Sequence, residues 1–444
     1  MQRLKISENK RYFVTEDGKP FFWLGDTAWE LFHRLNREEA AHYLQTRKRQ
    51  GFNVIQAVAL AELDGLTLPN PYGRLPLLRN EAGEIDPALP DLTVSGTDSY
   101  TYWDHVDYVL QLAADLELYV ALLPAWGDKF YRAWGKGNDP EVFTPENAAA
   151  YGRWIGARYK DAPHIVWVLG GDRPLKTERH FAVIRAMADG IREGDGGSHL
   201  MSFHPVAHSS YHLHGDARFD FNMIQSGHHY LDLPNYEEVE HDYWLLPTKP
   251  VLDAEPRYED HPIGFKPENG YFRAYDVRQA AYWNVFAGGC GTTYGHHAVW
   301  AMNTEPSPYF PLTWTEALER PAANQMRYLR ILVESRPQEE RVPDQTLVAN
   351  PLSGADHIRA VRGKDYAFFY SATGQPIEVR LGVLTGGKLR AAWYDPRTGA
   401  SHVIGLFDNH GAHTFIPPTS GHGEDWVLLL DDADREYGLP NPSK

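Results

Sequence analysis

From residue 21 to about residue 332 the chain alternates short apolar runs with helix-period segments, and this alternation restricts its fold more than any other feature. Strands of 4–8 residues separated by helices pair in parallel, because each crossover helix returns the chain to the same end of the sheet. The apolar runs cover residues 21–26, 52–61, 118–125, 165–169, 200–203, 221–225, a strand opening at Val251-Leu252, and 292–294. Helical patterns cover 37–50, 145–159, 271–287 and 320–334. Two further helices show as stripes: Tyr102, Val106, Val109, Leu110, Ala113 and Leu116, then Phe181, Ile184, Met187 and Ile191. Eight such units in roughly 300 residues predict a closed (β/α)8 TIM barrel. The competing open doubly wound sheet would carry a glycine-rich phosphate loop after its first strand. This chain reads Gly25-Asp26-Thr27-Ala28-Trp29 there.

The texture changes after Pro337. Runs at 366–370, 377–381, 390–394, 401–407 and 426–430 have strand character, with turn chemistry at Thr385-Gly386-Gly387 and Asp395-Pro396-Arg397-Thr398-Gly399. No useful helix intervenes, so the pattern predicts a C-terminal antiparallel β-sandwich. The expected domains are 1–337, a barrel with short N-terminal strands, and 338–444, the sandwich, with the boundary near 337–343. Two domains also suit a chain of 444 residues.

Composition narrows the partners. Lys and Arg total 43 against 59 Asp and Glu, a formal charge of −16, which argues against nucleic acid or an anionic membrane as the main partner. No apolar run reaches the ~18 residues of a membrane span. Residues 1–20 are polar and lack the apolar core of a signal peptide, which predicts a cytoplasmic protein, or a secreted one if an export signal has been trimmed away. Cys290 is the only cysteine, so intramolecular disulfides and cysteine zinc sites are excluded. The 13 Trp and 25 Tyr suit sugar stacking as well as core packing. Oligomeric state is left open.

Barrel enzymes carry their chemistry just past the C-terminal ends of the strands. Those positions read Asp26, Glu62, Trp126, Asp172, His204, His228-His229, Glu255 and His296-His297. Buried polar groups cost about 1–3 kcal/mol each when unpaired, so their collection on one face points to a ligand. Asp172 follows Gly170-Gly171 after the fourth strand, and Glu255 ends Asp253-Ala254-Glu255 after the seventh. Strands four and seven face each other across an eight-membered ring, so these carboxyls can converge. Glycosidic cleavage needs such a pair. Asp172 is assigned as acid/base and Glu255 as nucleophile of a retaining reaction, with inversion the alternative at wider separation. Arg257 is the expected cation lowering the Glu255 pKa, and Asp26, Glu62 and Asp253 are reserve carboxylates. Asp26, Trp29, Glu62, Trp126, Arg173, His204, His229, Tyr258, His296 and Trp300 are the expected substrate contacts, with Tyr72 and Arg74 reaching in from the long Pro/Gly-rich loop at 63–96.

The 21 histidines also raise a metal-dependent hydrolase. Such barrels usually place His-x-His after the first strand. Here the only one, His212-Leu213-His214, falls after the fifth, and no His-Glu-x-x-His occurs. No metal or cofactor is therefore predicted. A non-catalytic carbohydrate or matrix-binding protein is the other alternative class.

The run Phe13-Val14 to Gly18-Lys19-Pro20-Phe21-Phe22-Trp23-Leu24-Gly25-Asp26-Thr27-Ala28-Trp29 resembles the opening of apiosidase-like glycoside hydrolases. Gly51-Phe52-Asn53-Val54-Ile55-Gln56, Gly170-Gly171-Asp172, Asp253-Ala254-Glu255-Pro256 and Trp393-Tyr394-Asp395-Pro396-Arg397-Thr398-Gly399 are similar to motifs of the same family. The resemblance covers nearly the whole chain. It implies a barrel followed by a collagen-binding-type sandwich, and an exo-acting enzyme that releases apiose from side chains of the pectic polysaccharide rhamnogalacturonan II. It also implies Asp172 as the acid/base and Glu255 as the nucleophile.

Overall fold

A computed structural model of the protein describes residues 1–94, 99–134 and 137–441. Residues 95 and 96 of the long loop therefore lie outside the described residues. The barrel strands are Trp23–Thr27, Val54–Leu60, Tyr119–Ala125, Ile165–Gly170, Met201–His204, Asn222–Gln225, Val251–Asp253 and Gly291–Tyr294. They pair in parallel in sequence order, and the eighth joins the first. No ladder spans the fifth and sixth strands among the described residues. That seam is joined by Asp220 N–H donating to Met201 O at 2.8 Å and Ser202 Oγ donating to Phe221 O at 2.7 Å. After the fifth strand, the two-residue strand Ala207–His208 turns back antiparallel along the sixth.

Side chains alternate across the strands as a period of two requires. Val54 and Val58 fill the barrel, as do Ala121 with Leu123 and Val166 with Val168. Ile55, Ala57 and Ala59 face the helices, as do Val120 with Leu122 and Trp167 with Leu169. The N-terminal strands Leu4–Ile6 and Phe13–Thr15 pack Leu4 and Phe13 into the inner cluster, where the Phe13 ring meets Trp23 and Phe221 at 5.7 and 5.0 Å.

The surrounding helices begin where their capping residues lie. Asn36, Thr101 and Thr144 accept hydrogen bonds from the third residue of helices Arg37–Arg49, Tyr102–Asp115 and Pro145–Tyr159. Helix Glu178–Asp195 ends at Gly196 with φ of +71°, the left-handed cap glycine adopts readily. The sequence reading missed helix Asn235–Tyr243, which is short and rich in charge.

The C-terminal domain is antiparallel but uneven. Strands Val342–Pro343, Ile358–Arg362, Tyr366–Ser371, Trp426–Asp432, Lys388–Tyr394 and Ser401–Asp408 form one sheet in that order, and Ile377–Arg380 pairs with Ala412–Phe415 in a second. The continuous apolar run Tyr366–Ser371 is explained by burial on both faces. Ala367 and Phe369 face the two-stranded sheet, while Tyr366, Phe368 and Tyr370 face barrel helices Ala274–Phe286 and Pro321–Glu334. Tyr370 stacks on Tyr282 at 4.8 Å. Beside that stack, Arg278 makes a two-pronged ion pair with Asp425 (2.6 and 3.1 Å) that is almost wholly buried.

Candidate active site

The two assigned carboxyls lie at the ends of the fourth and seventh strands and feel each other's charge. The turn after strand four is tight. Gly170 and Gly171 have φ of +90° and +114°, and a Cβ on Gly171 would sit 2.6 Å from the Trp126 ring. Asp172 itself takes φ of +48°, a left-handed conformation that a non-glycine residue adopts at a cost. Its side chain accepts hydrogen bonds from Gln225 Nε2 (3.2 Å) and Trp134 Nε1 (3.4 Å). The Arg173 guanidinium spans Asp172 Oδ2 (3.3 Å) and Glu62 Oε1 (3.0 Å) and donates to Trp134 O (2.6 Å).

Glu255 sits between two imidazoles. His228 Nε2 lies 3.2 Å from Oε1 and His204 Nε2 lies 3.1 Å from Oε2. Tyr258, with its hydroxyl 3.4 Å from Thr27 Oγ1, packs against His228 at 4.5 Å. A Cβ on Gly295 would fall 2.2 Å from the Tyr258 ring, so only glycine lets that ring lie there. Gly295→Ala is therefore expected to displace Tyr258 and lower turnover, on the order of 100-fold for a ~1 Å misplacement. Steady-state kinetics with a circular-dichroism check of the fold would test it.

These environments push the two carboxyls in opposite directions. Burial first, and then the Glu255 charge, raise Asp172 against the pull of Arg173. Burial would also raise Glu255, but the close contacts and charge of His204 and His228 outweigh it and hold its carboxyl well below the ordinary range. The pair titrates as a unit, with its two steps driven apart. In Glu255→Gln the Asp172 titration is expected to move down, because the neighbouring negative charge is gone while burial stays. Carboxyl difference infrared spectra across pH would show it; an unmoved or raised step would break the coupling. Burial pushes Glu62 up to about 7 even beside Arg173.

Several residues singled out in the sequence lie elsewhere. Asp26 faces outward, because Trp23 of the same strand faces the barrel interior and faces alternate. It is fully buried against helix Arg37–Arg49, accepting from Tyr43 OH (2.5 Å) and Arg47 Nε (2.6 Å). Asp253 likewise faces out, to Ser226 and Asn235. Arg257 bonds Gln279 (3.0 Å), so the histidines do the work expected of it on Glu255. Both ring nitrogens of His296 are occupied, by Asp260 Oδ2 (3.1 Å) and Ala298 N–H (3.0 Å). His229 is exposed beside Phe265, while its neighbour His228 is the one on Glu255. Tyr72 packs on Tyr100 and His105, and its hydroxyl accepts the Arg37 N–H.

Trp29, Trp126 and His204 do come together, with ring centroids 5.0–5.8 Å apart, as one apolar wall. A second wall was not read from the sequence. His228 stacks on His261 at 4.2 Å, His261 meets His297 at 4.3 Å, and Tyr309 and Phe310 lie against His297 at 4.8 and 4.4 Å. Trp300 adjoins it, donating from Nε1 to His297 Nδ1 at 3.3 Å.

A barrel that brings two carboxyls of opposed bias to the ends of its fourth and seventh strands, between aromatic walls, is an arrangement that glycoside hydrolysis uses. The family model "Apiosidase-like, catalytic domain" matches residues 7–340, and "Putative collagen-binding domain of a collagenase" matches residues 342–431. A solved structure described as a glycoside hydrolase is 36% identical, covers 98% of both chains and superposes with a TM-score of 0.89. A glycoside hydrolase family 5 protein from Bacteroides vulgatus is 35% identical over 98% of this chain and 95% of its own, with a TM-score of 0.88. A family 27 β-L-arabinopyranosidase from Geobacillus stearothermophilus shares the fold alone, at 12% identity and a TM-score of 0.51 over 93% of this chain and 97% of its own. None of the curated proteins matches. The chain belongs to the apiosidase-like family of glycoside hydrolases. Its substrate is a carbohydrate. Among the described residues no helix is long and apolar enough to cross a membrane.

Proposed function

We propose that this enzyme is a retaining, exo-acting glycosidase that releases apiose or another pentose from plant pectic oligosaccharides or glycosides of the rhamnogalacturonan II type. The observation that carries the acid and anion assignments is the opposed bias of the two carboxyls, held by Arg173, Gln225 and Trp134 on one side and by His204 and His228 on the other; retention rests on the catalytic-domain family. Asp172, biased to keep its proton, protonates the leaving glycosidic oxygen. Glu255, biased to stay ionised, attacks the anomeric carbon and forms a glycosyl ester. Asp172, now ionised, then takes a proton from water as that water displaces Glu255. His204 and His228 hold Glu255 in place, and Arg173 with Gln225 and Trp134 hold Asp172. The ring faces of Trp29, Trp126 and Trp300 give the apolar contacts a pentose ring needs, with Glu62 and Tyr258 supplying polar ones. The pentose reading rests on the catalytic-domain family.

Sugar release from pectic oligosaccharides, alongside aryl apiosides, other pentosides and hexosides, tests the reading. Apiose or another single pentose as product is the expected result. A hexose as the sole product would overturn the pentose assignment, and first-formed product of inverted configuration by NMR would overturn retention.

A further inference from the structure

Outside the mouth, three ligand-type side chains meet behind the barrel seam. His208 lies on the Ala207–His208 strand, and His241 and Asp242 lie near the end of helix Asn235–Tyr243. His208 Nδ1 is 2.9 Å and His241 Nδ1 is 3.0 Å from Asp242 Oδ1, and one donor atom from each of the three lies within 4.8 Å of the others. Ser210 Oγ also donates to Oδ1, at 2.6 Å. The carboxylate is thus lopsided. Oδ1 takes three donors, whereas the buried Oδ2 has no hydrogen-bond partner among the described residues. One turn earlier on the helix, Glu238 Oε2 is buried and unpartnered in the same sense. Among the described residues neither carboxylate is ion-paired to a lysine or arginine.

A buried Asp242 carboxylate, held by two imidazoles and the Ser210 hydroxyl with no lysine or arginine paired to it among the described residues, is an environment a divalent cation completes. Two imidazoles and a carboxylate form a donor set that suits Zn2+. Tetrahedral ligand atoms about 2.0–2.1 Å from the ion stand roughly 3.3 Å apart, a spacing that the three donor atoms, within 4.8 Å of one another, reach by small side-chain shifts. We infer that His208, His241 and Asp242 form a site for one Zn2+ ion that clamps the seam strand to helix Asn235–Tyr243. No other His, Cys, Asp or Glu joins the group among the described residues, which leaves the fourth position to water. Asp242 and His208 are buried, and half-exposed His241 opens the site to solvent. The Ala207–His208 strand pairs Ala207 with Gln225, which bonds Asp172, so the clamp stiffens the strand that presents this hydrogen bond.

The test uses the tag-free full chain, stripped with EDTA and dialysed, titrated with Zn2+ by calorimetry and with Co2+ by visible absorption. One equivalent is expected to bind, with the absorption of a tetrahedral Co2+ centre and a higher Tm, because only the folded chain presents the ligands. His241→Ala, a surface change, is expected to weaken Zn2+ binding on the order of 100-fold while the circular-dichroism spectrum stays that of the wild type. Asp242→Asn provides the second variant and keeps the side-chain volume. Absence of saturable binding at one equivalent, or wild-type affinity in both variants, overturns the site.

Discussion

Glu255→Gln is expected to abolish turnover, by on the order of 10^4–10^6-fold, the scale on which loss of a nucleophile acts in a constellation that works as a unit. The substitution keeps the size of the side chain and its place between His204 and His228, so substrate binding should survive. The companion variant separates the two roles. Asp172→Asn is expected to lose about 10^2–10^4-fold on substrates whose leaving group needs a proton. It should lose little in the first step on aryl glycosides with good leaving groups, and the glycosyl-enzyme should then accumulate because no base activates water. Added azide, which needs no base, should restore its turnover and give a glycosyl azide of retained configuration. Burst kinetics and NMR of the azide product are the measurements. If azide rescues neither variant, or if Glu255→Gln stays active, the roles are misassigned and Glu62, poised near 7 beside Arg173, is the carboxyl to test next.

The second large effect is expected far from the mouth. Arg278 and Asp425 are 4% and 0% exposed and join a barrel helix to the sandwich. Arg278→Ala would leave Asp425 in an apolar interface with Tyr370 OH, at 3.3 Å, as its remaining side-chain partner among the hydrogen bonds seen. Breaking one side of a buried pair costs about 3–5 kcal/mol, whereas replacing both sides with apolar groups is often neutral. Arg278→Ala is therefore expected to lower Tm by several degrees, and Arg278→Met with Asp425→Leu to recover most of the loss. Calorimetry of the three chains decides it. A single-variant Tm equal to that of the wild type would mean that water reaches the interface. The stack of Tyr282 on Tyr370 makes the same interface part of one shared core, so both domains are expected to melt in one transition.

The barrel was legible in the sequence because short strands and amphipathic helices have distinct periods, and the mouth was legible because chemistry concentrates at strand ends. What failed was register. Asp26 and Asp253 still lie within their strands, where alternation turns them to the helix layer, whereas Glu255 lies two residues past the end of its strand and escapes that alternation. The run Phe21-Phe22-Trp23-Leu24 is apolar on both faces, so its sequence does not show which parity meets the axis, and only the packing of Trp23 inside the barrel places Asp26 outside. His228 and His229 pose the same problem, since adjacent residues point apart and the motif alone does not choose between them. His261, Tyr309 and Phe310 could not be found in this way, because they come from irregular loops without a period to read. In the C-terminal domain, Ile358–Arg362 and Ala412–Phe415 escaped notice because they are short and bear charge or small residues.

The left-handed backbone of Asp172 sets the aspartate against its own scaffold. Glycine would occupy that conformation without the roughly 1 kcal/mol that a Cβ costs there, and it would leave no carboxyl to desolvate beside Glu255. Asp172→Gly, although inactive, should then melt at or above the wild-type temperature at neutral pH. A lower Tm would mean that the hydrogen bonds from Gln225 and Trp134 outweigh the strain. If the melt rises, selection for thermal hardiness alone would drift this position away from aspartate, and only a requirement for turnover keeps it in place.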